Sequence, residues 1–243
     1  MKDTIIRTPL FLAACFGQLK AIKVLLKQHA SMQCFGEMMT PAHIAARRGD
    51  VDCMQAFIQA GFKINTRGTK DQTILHVATF SGIKMMKYIL QLKGGMNLLN
   101  AQDDKGGTPL SYLATINDNP HRRTRKMVEL LLQHSADIHM RDNSGNMAAH
   151  YFAKRGWVGC LRPLIDAGFN LHSTGEYGGT ILHHALVGGA KVIEYLLGLD
   201  GGKMIIDIEN DDGKTPLQLA SDQGNMGRVK GVLMRHSATC ISR

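Results

Sequence analysis

Apolar residues recur along this chain in short stripes with helical spacing. In residues 51–61, Met54, Phe57 and Ile58 follow the i, i+3, i+4 spacing that places side chains on one face of a helix. Six further stripes have the same spacing, and they are Ile22/Leu25/Leu26, Met86/Ile89/Leu90, Val128/Leu131/Leu132, Leu161/Leu164/Ile165, Ile193/Leu196/Leu197 and Val229/Val232/Leu233. The pattern predicts seven amphipathic helices, each with one face to bury.

A second short helix is predicted before each stripe, because a similar ten-residue phrase precedes every one of them. The copies begin at residues 8, 40, 73, 108, 147, 180 and 215. Self-similarity with a period near 33 residues is typical of stacked helical repeats. In the second copy Thr40 can cap the helix, Pro41 suits its first turn and Gly49 ends it. Gly61 suits the left-handed stop of the helix that follows.

The phrases TPLFLAACFG, TPAHIAARRG and TILHVATFSG, each followed by a second helix in register, resemble the ankyrin-repeat pattern over roughly residues 4–238. The resemblance implies an all-α fold, a solenoid of stacked helix-turn-helix units with β-turn fingers. It implies a single domain over residues 1–243, with repeats at approximately 4–34, 35–67, 68–102, 103–141, 142–174, 175–209 and 210–243. It also implies that the fingers and first helices line a concave binding face.

Departures from the pattern predict uneven stability along the chain. His29, Ser135 and His236 occupy helix-stop positions where glycine is favoured, since a side chain there must adopt the left-handed conformation. Repeat four gains residues Asp118–Lys126 before its second helix. Repeat one carries Ile5, Ile6 and Phe11 with almost no lead-in, so we expect its outer side either to pack against another chain or to be the cut edge of a longer protein.

Composition narrows the class of protein further. The chain has 29 Lys+Arg against 20 Asp+Glu and a formal net charge of +9, which favours acidic partners or nucleic acid. Its five cysteines form no CxxC pair, so we expect neither a disulfide framework nor a zinc site. Cysteines without a disulfide framework fit an intracellular, cytoplasmic location, and a nuclear location stays open. No apolar run reaches about 18 residues, so we expect no membrane span.

Candidate chemistry is sparse. His43, His76, His150 and His183 all stand at the fourth position of the repeated phrase, one per repeat, where an imidazole can bridge backbone groups of adjacent turns. A metal needs converging ligands, so we expect no metal site. The sequence has no phosphate-binding loop, no GxSxG and no HExxH. We therefore predict no catalytic residues, no cofactor and no enzymatic activity.

The concave face is the candidate binding site. The resemblance assigns to it finger tips and the residues before the first-helix glycine, namely Phe16, Arg47, Arg48, Lys70, Phe80, Lys105, Lys154, Arg155 and Tyr177. This face is basic in repeats two to five and turns acidic in repeats six and seven. A separate basic insertion contains Arg122, Arg123, Arg125 and Lys126, and it suits either a nuclear-import signal or a polyanion contact.

Three hypotheses follow for function. The first is a non-catalytic interaction module or adaptor that binds an acidic or mixed-charge protein segment, with Phe16, Phe80 and Tyr177 as apolar anchors. The second is a nucleic-acid or nucleotide-binding domain, which the basic run favours and the few aromatic residues disfavour. The third is the recognition arm of a larger complex, such as a ubiquitin-ligase adaptor.

Overall fold

The computed structural model describes residues 8–33, 39–115, 121–222 and 227–241. Within these ranges the regular structure is helical, apart from one isolated antiparallel bridge between Thr174 and Thr180. The predicted all-α class is confirmed. Backbone contacts divide the chain into two compact units, residues 1–136 and 137–243. The prediction of one domain with seven repeats stays a prediction.

The first unit contains eight α-helices in its described residues. They are α1 (Pro9–Phe16), α2 (Leu19–Lys27), α3 (Pro41–Arg48), α4 (Val51–Gln59), α5 (Ile74–Ser81), α6 (Ile83–Gln91), α7 (Pro109–Tyr112) and α8 (His121–Gln133). Short 3-10 turns lie at Thr69–Asp71, Gly95–Leu98 and Leu113–Thr115. Helix α3 packs against α1 and α5, while α4 packs against α2, so the two helices of each repeat form two rows.

The second unit contains six α-helices in its described residues. They are α9 (Ala148–Lys154), α10 (Val158–Asp166), α11 (Ile181–Gly188), α12 (Ala190–Leu197), α13 (Pro216–Asp222) and α14 (Gly227–Ile241). Short 3-10 turns lie at Glu176–Gly178 and Gly202–Ile205. Helix α11 packs against α9 and α13, and α12 packs against α10 and α14, which gives the same two rows.

The repeated phrase forms its helix as the sequence predicts. Thr40 Oγ1 accepts a hydrogen bond from the backbone N of His43 at 3.3 Å, and Pro41 begins the helix. Gly49 ends it with φ of 79°. The stripe residues Met54 and Phe57 are fully buried beneath the neighbouring helices. Local capping and burial of one face therefore act together in each repeat.

The four phrase histidines bridge backbone groups, which confirms their predicted role. Each Nε2 lies within hydrogen-bond distance of a carbonyl oxygen in the next finger: His43 to Gln72 at 3.1 Å, His76 to Gly107 at 2.9 Å, His150 to Ser173 at 3.1 Å and His183 to Lys214 at 3.0 Å. All four are buried. Each imidazole thus ties one repeat to the finger of the following repeat.

Two of the three predicted non-glycine helix stops are confirmed. His29 and Ser135 have φ of 56° and 65°, in the left-handed region. The prediction for His236 is wrong, because α14 continues through this residue to Ile241. The helix is continuous past this residue, and the Ser237 hydroxyl donates to the backbone carbonyl oxygen of Leu233, four residues earlier, at 3.1 Å. Of the predicted outer face of repeat one, Ile5 and Ile6 lie outside the described residues, and Phe11 is half-buried.

The second unit repeats the internal structure of the first at an offset of 107 residues. Thr73 and Thr180 are 107 residues apart, as are Thr108 and Thr215. Helices α3, α4, α5 and α6 begin 107 residues before α9, α10, α11 and α12. Left-handed positions recur in the same pairs: Gly49/Gly156, Gly61/Gly168, Lys70/Tyr177, Gly82/Gly189, Gly94/Gly201 and Gly106/Gly213. A block of three repeats therefore occurs twice in this chain.

Candidate functional site

A concave groove of about 420 Å³ lies in the first unit. We call it the first groove, and it is lined by Phe11, Met39, Ile44, Arg47, Thr69, Lys70, Gln72 and Phe80. Its walls come from α1, α3 and α5 and from the finger at Thr69–Asp71. Apolar side chains form most of its wall, and the two charged residues among them, Arg47 and Lys70, are both cations.

Arg47 and Phe80 form one wall of the first groove as a pair. The Arg47 guanidinium carbon lies 5.3 Å from the centroid of the Phe80 ring. That ring in turn meets Tyr112 edge to face, with centroids 6.4 Å apart. Cation–π contact attracts a guanidinium to the face of an aromatic ring. Arg47 is therefore positioned to meet an anionic group above an apolar surface.

Gln72 carries the buried polar group of the first groove. The residue is 8% exposed, and its Nε2 donates to the Tyr112 hydroxyl at 2.7 Å. The hydroxyl donates to Asp103 Oδ2. Burial and the bond to Asp103 raise the pKa of Tyr112, so the phenol keeps its proton. Gln72 Oε1 is left buried without a hydrogen-bond partner among the described residues. Such an acceptor is costly to leave unpaired.

The finger beside the groove holds Lys70 in an unusual backbone conformation. Its φ is 57°, in the left-handed region, where a side chain costs roughly 1 kcal/mol. This conformation aims the Lys70 carbonyl at the next finger, where it accepts from the backbone N of Asp104 at 3.0 Å. The Lys70 side chain is exposed at the tip.

A second groove, of about 230 Å³, lies within the second unit. It is lined by Lys154, Glu176, Tyr177, Gly179, His183, His184, Val187, Asn210 and Leu219. Five of these residues stand 107 positions after residues of the first groove, and the pairs are Arg47/Lys154, Thr69/Glu176, Lys70/Tyr177, Gln72/Gly179 and Phe80/Val187. The two grooves are therefore the same feature in the two copies of the block.

His184 supplies the unpaired polar atom of the second groove. Its Nε2 is buried without a hydrogen-bond partner among the described residues, and its ring centroid lies 4.9 Å from that of His150. Burial, followed by the charges of His150 and Lys154, lowers the pKa of His184 to about 3. The ring is therefore neutral at pH 7.

The structure brings five of the residues predicted for the binding face into the two grooves: Arg47, Lys70, Phe80, Lys154 and Tyr177. The others lie elsewhere. The Arg155 guanidinium lies over the Trp157 ring, 5.7 Å from its centroid. Phe16 is 68% exposed at the end of α1, and Arg48 and Lys105 are exposed.

The basic insertion is the beginning of α8, although the sequence predicts it as an addition before that helix. Asp118–Pro120 lie outside the described residues, and of Arg122 only its place in the helix is described. Arg123 donates to the carbonyl oxygen of Ser81. Arg125 Nε lies 2.8 Å from Glu129 Oε1. Lys126 is exposed. Two of the four basic side chains thus have partners within the first unit.

Several groove residues are missing from the predicted site. The sequence pattern assigns Phe11, Ile44, Val187 and Leu219 to helices, and His184 only to a position beside His183. The 107-residue offset would have identified the residues of the second groove, since Val187 corresponds to Phe80 and Leu219 to Tyr112. The 33-residue period conceals this longer one.

The described residues bear on two further classes of site. They contain no group of three or more His, Cys, Asp or Glu side chains placed to hold a metal ion. None of their helices is both long enough and apolar enough to cross a membrane.

Comparison with known proteins gives the family. The model of the family described as ankyrin repeats (3 copies) matches residues 2–68, 43–142 and 121–205. E3 ubiquitin-protein ligase KEG of Arabidopsis thaliana is 24% identical, over 90% of this chain and 16% of that protein. SH3 and multiple ankyrin repeat domains protein 2 of Homo sapiens is 28% identical, over 83% and 10%. The B-cell lymphoma 3 protein homolog of Mus musculus is 27% identical, over 67% and 36%.

The chain thus spans between about a tenth and a third of the length of these relatives. Two solved structures share its fold. The ankyrin repeat domain of Bcl-3 matches with a TM-score of 0.70 at 23% identity, covering 93% of this chain and 98% of that one. The human ASB11 ankyrin repeat domain matches with a TM-score of 0.70 at 22% identity, covering 95% and 98%. The predicted all-α ankyrin-repeat solenoid is confirmed, and the chain belongs to the ankyrin-repeat family.

Proposed function

We propose that this chain is a non-catalytic interaction module that binds an acidic or mixed-charge protein segment in the first groove. Ankyrin repeats are in general protein–protein interaction modules, and the family matched is not a catalytic one. The observation that carries the finer proposal is the pairing of Arg47 with Phe80 beside Lys70 in one concavity. An apolar side chain fits the Phe11–Ile44–Phe80 wall, while flanking carboxylates meet the two cations.

Gln72 adds a requirement for the bound segment. Its unpaired Oε1 needs a hydrogen-bond donor, which a backbone N–H or a hydroxyl of the segment supplies after a small adjustment of the amide. The Nε2–Tyr112 bond fixes which end of the amide is available. A segment with an apolar anchor, adjacent acidic residues and an exposed N–H satisfies all three features of the groove.

Charge reversal in the first groove tests the proposal. The double variant Arg47→Glu with Lys70→Glu is expected to weaken binding of peptides selected from a phage-displayed random library by about tenfold or more, which corresponds to about 1.4 kcal/mol. The matched control is Lys84→Glu with Lys87→Glu, which changes net charge equally at exposed positions on α6. Fluorescence polarisation of the labelled peptides measures both.

Wild-type affinity should also fall with rising salt, because exposed charges are screened. Equal losses in the two double variants would contradict the proposal, since net charge alone would then explain binding. Labelled single-stranded DNA distinguishes the nucleic-acid alternative. If DNA binds more tightly than every selected peptide, and the first-groove variant abolishes that binding, the site serves nucleic acid instead.

A role as the recognition arm of a larger assembly also remains a proposal. One relative is named as a ubiquitin ligase, and the chain covers 16% of it. The intracellular location expected from the cysteine content stays a prediction.

A further inference from the structure

The two grooves share a backbone and differ in charge. Lys70 and Tyr177 occupy equivalent finger tips with φ of 57° and 55°. Each accepts a hydrogen bond from the next finger, Lys70 O from Asp104 N and Tyr177 O from Asp211 N, both at 3.0 Å. The same framework therefore presents different side chains in the two copies.

Three equivalent finger positions are more acidic in the second copy than in the first. The pairs at the 107-residue offset are Thr69/Glu176, Lys70/Tyr177 and Lys105/Asp212. At these three positions two lysines are lost and two carboxylates are gained from the first copy to the second, whereas Asp71/Gly178, Asp103/Asn210 and Gly107/Lys214 change in the opposite direction. The first groove has two cations and no carboxylate in its lining, whereas the lining of the second has one cation, Lys154, and one carboxylate, Glu176.

Further carboxylates flank the finger tip at Tyr177. Asp211 lies against it, since a Cβ built on Gly178 would come 2.1 Å from Asp211 Oδ1. Asp212 is exposed on the same finger as Asp211. Of the two cations near this groove, Lys154 lines it and Lys214 forms an ion pair with Asp222 at 2.8 Å. Acidic groups thus dominate the fingers of the second groove.

The second groove also offers apolar surface and one unpaired polar atom. Tyr177 is 72% exposed and Val187 is 62% exposed. The stem of a lysine or arginine packs well on such surface, and its charged end is attracted to a tyrosine ring. His184 is neutral at pH 7, because burial lowers its pKa to about 3, so it does not repel a cation. With the proton on Nδ1, its unpaired Nε2 accepts a hydrogen bond.

We propose that the second groove is a separate peptide-binding site that takes a basic protein segment, with a lysine or arginine side chain on Tyr177 between Glu176 and Asp211 and an N–H donor directed at His184. The chain then has two sites of opposite charge preference, descended from one duplicated block. The inference rests on the proposed function in one respect, that the groove framework shared by the two copies binds peptides.

Exchange of side chains between the two copies gives a stringent test. One variant converts the second groove toward the first, with Glu176→Thr, Tyr177→Lys and Asp212→Lys. The matched variant makes the reverse change in the first groove, with Thr69→Glu, Lys70→Tyr and Lys105→Asp. Each new residue already occupies the same backbone position in the other copy, so both variants should fold, and circular dichroism checks this.

The probe is a phage-displayed random-peptide library panned on the full chain. We expect two classes of enriched peptide, one acidic and one basic. The second-groove exchange should weaken the basic class by about tenfold or more, measured by fluorescence polarisation, and leave the acidic class unchanged. The first-groove exchange should do the opposite.

The outcomes separate the two proposals. If the acidic class appears and no basic class does, or if the basic class survives the second-groove exchange, the inference fails and the proposed function stands. If the basic class behaves as expected and no acidic class appears, the proposed function fails for the first groove. If neither class is enriched, both fail.

Discussion

Acidification is expected to destabilise both units of this protein between pH 6.5 and about 4. In each unit a buried phrase histidine, His43 or His150, has its pKa lowered from 6.5 to about 4, chiefly by burial. Burial also lowers the pKa of His76 and His183. A buried imidazole that bridges backbone groups is neutral in the folded state, and unfolding releases it to take up a proton.

The direction follows from proton uptake. Above pH 6.5 these histidines are neutral in both the folded and the unfolded protein. The free energy of unfolding therefore does not change with pH through them in this range. As the pH falls below 6.5, the unfolded chain binds protons first, so the free energy of unfolding decreases. Below about 4 the folded form is protonated as well, and the loss levels off. A change in pKa from 6.5 to about 4 corresponds to roughly 3 kcal/mol for each histidine.

The surroundings of His150 moderate this effect without reversing it. Asp142 raises its pKa, and Arg141 lowers it, while the ring of His184 lies 4.9 Å away. Burial remains the largest cause. Urea denaturation followed by circular dichroism at a series of pH values between 7 and 4 measures the effect.

A non-titrating variant isolates the histidine contribution. His150→Gln is suitable, because Gln218 occupies the same phrase position and its Oε1 accepts from Thr215 N at 2.8 Å. This variant should be less stable at pH 7, since it loses the bridge to Ser173, and its stability should depend less on pH. An unchanged slope between pH 6.5 and 4 would contradict the assignment to His150.

Alanine at Gly202 is expected to destabilise the second unit by roughly 3 kcal/mol or more, at the upper end of the range for overpacking. A Cβ there would lie 2.0 Å from the carbonyl oxygen of Leu196. This neighbour is backbone within α12, so relief requires the helix or the following turn to move. Gly95, 107 residues earlier, has the same 2.0 Å distance to Ile89 O, and its alanine variant should behave alike in the first unit.

Gly201→Ala is the matched control. Gly201 has φ of 72° and open space around its Cβ position, so alanine there suffers only backbone strain of roughly 1 kcal/mol. Urea denaturation of the two variants measures the difference in the free energy of unfolding. Equal losses at residues 201 and 202 would show that the close approach to Leu196 is not what requires glycine.

Much of the fold could be predicted from the sequence because the signals are local and recur. The phrase at Thr40 carries its own cap, first-turn proline and terminal glycine, so each helix is specified within ten residues. The bridging histidines were also predictable, since the next repeat always places a finger at the same distance. The continuation of the helix through His236 was not predictable. His29 and Ser135 stop a helix at the equivalent position, whereas α14 runs on to Ile241.

The candidate site was predictable only in part. Arg47, Lys70 and Phe80 follow from their positions in the pattern, and the structure places them in one groove. The direction of a long side chain does not follow from the pattern. Arg155 lies over Trp157, two residues later, and Arg123 donates to the carbonyl oxygen of Ser81, which helix packing brings near.

The sequence by itself determined the repeated helix pairs, their caps, the histidine bridges and the family, since periodic apolar positions and capping residues act over a few neighbours. It also contained the 107-residue duplication, which the shorter period hides. Only the tertiary structure decided which side chains form the two grooves. It left Gln72 Oε1 and His184 Nε2 buried and unpaired, because satisfying a polar atom depends on groups that packing brings together from distant parts of the chain.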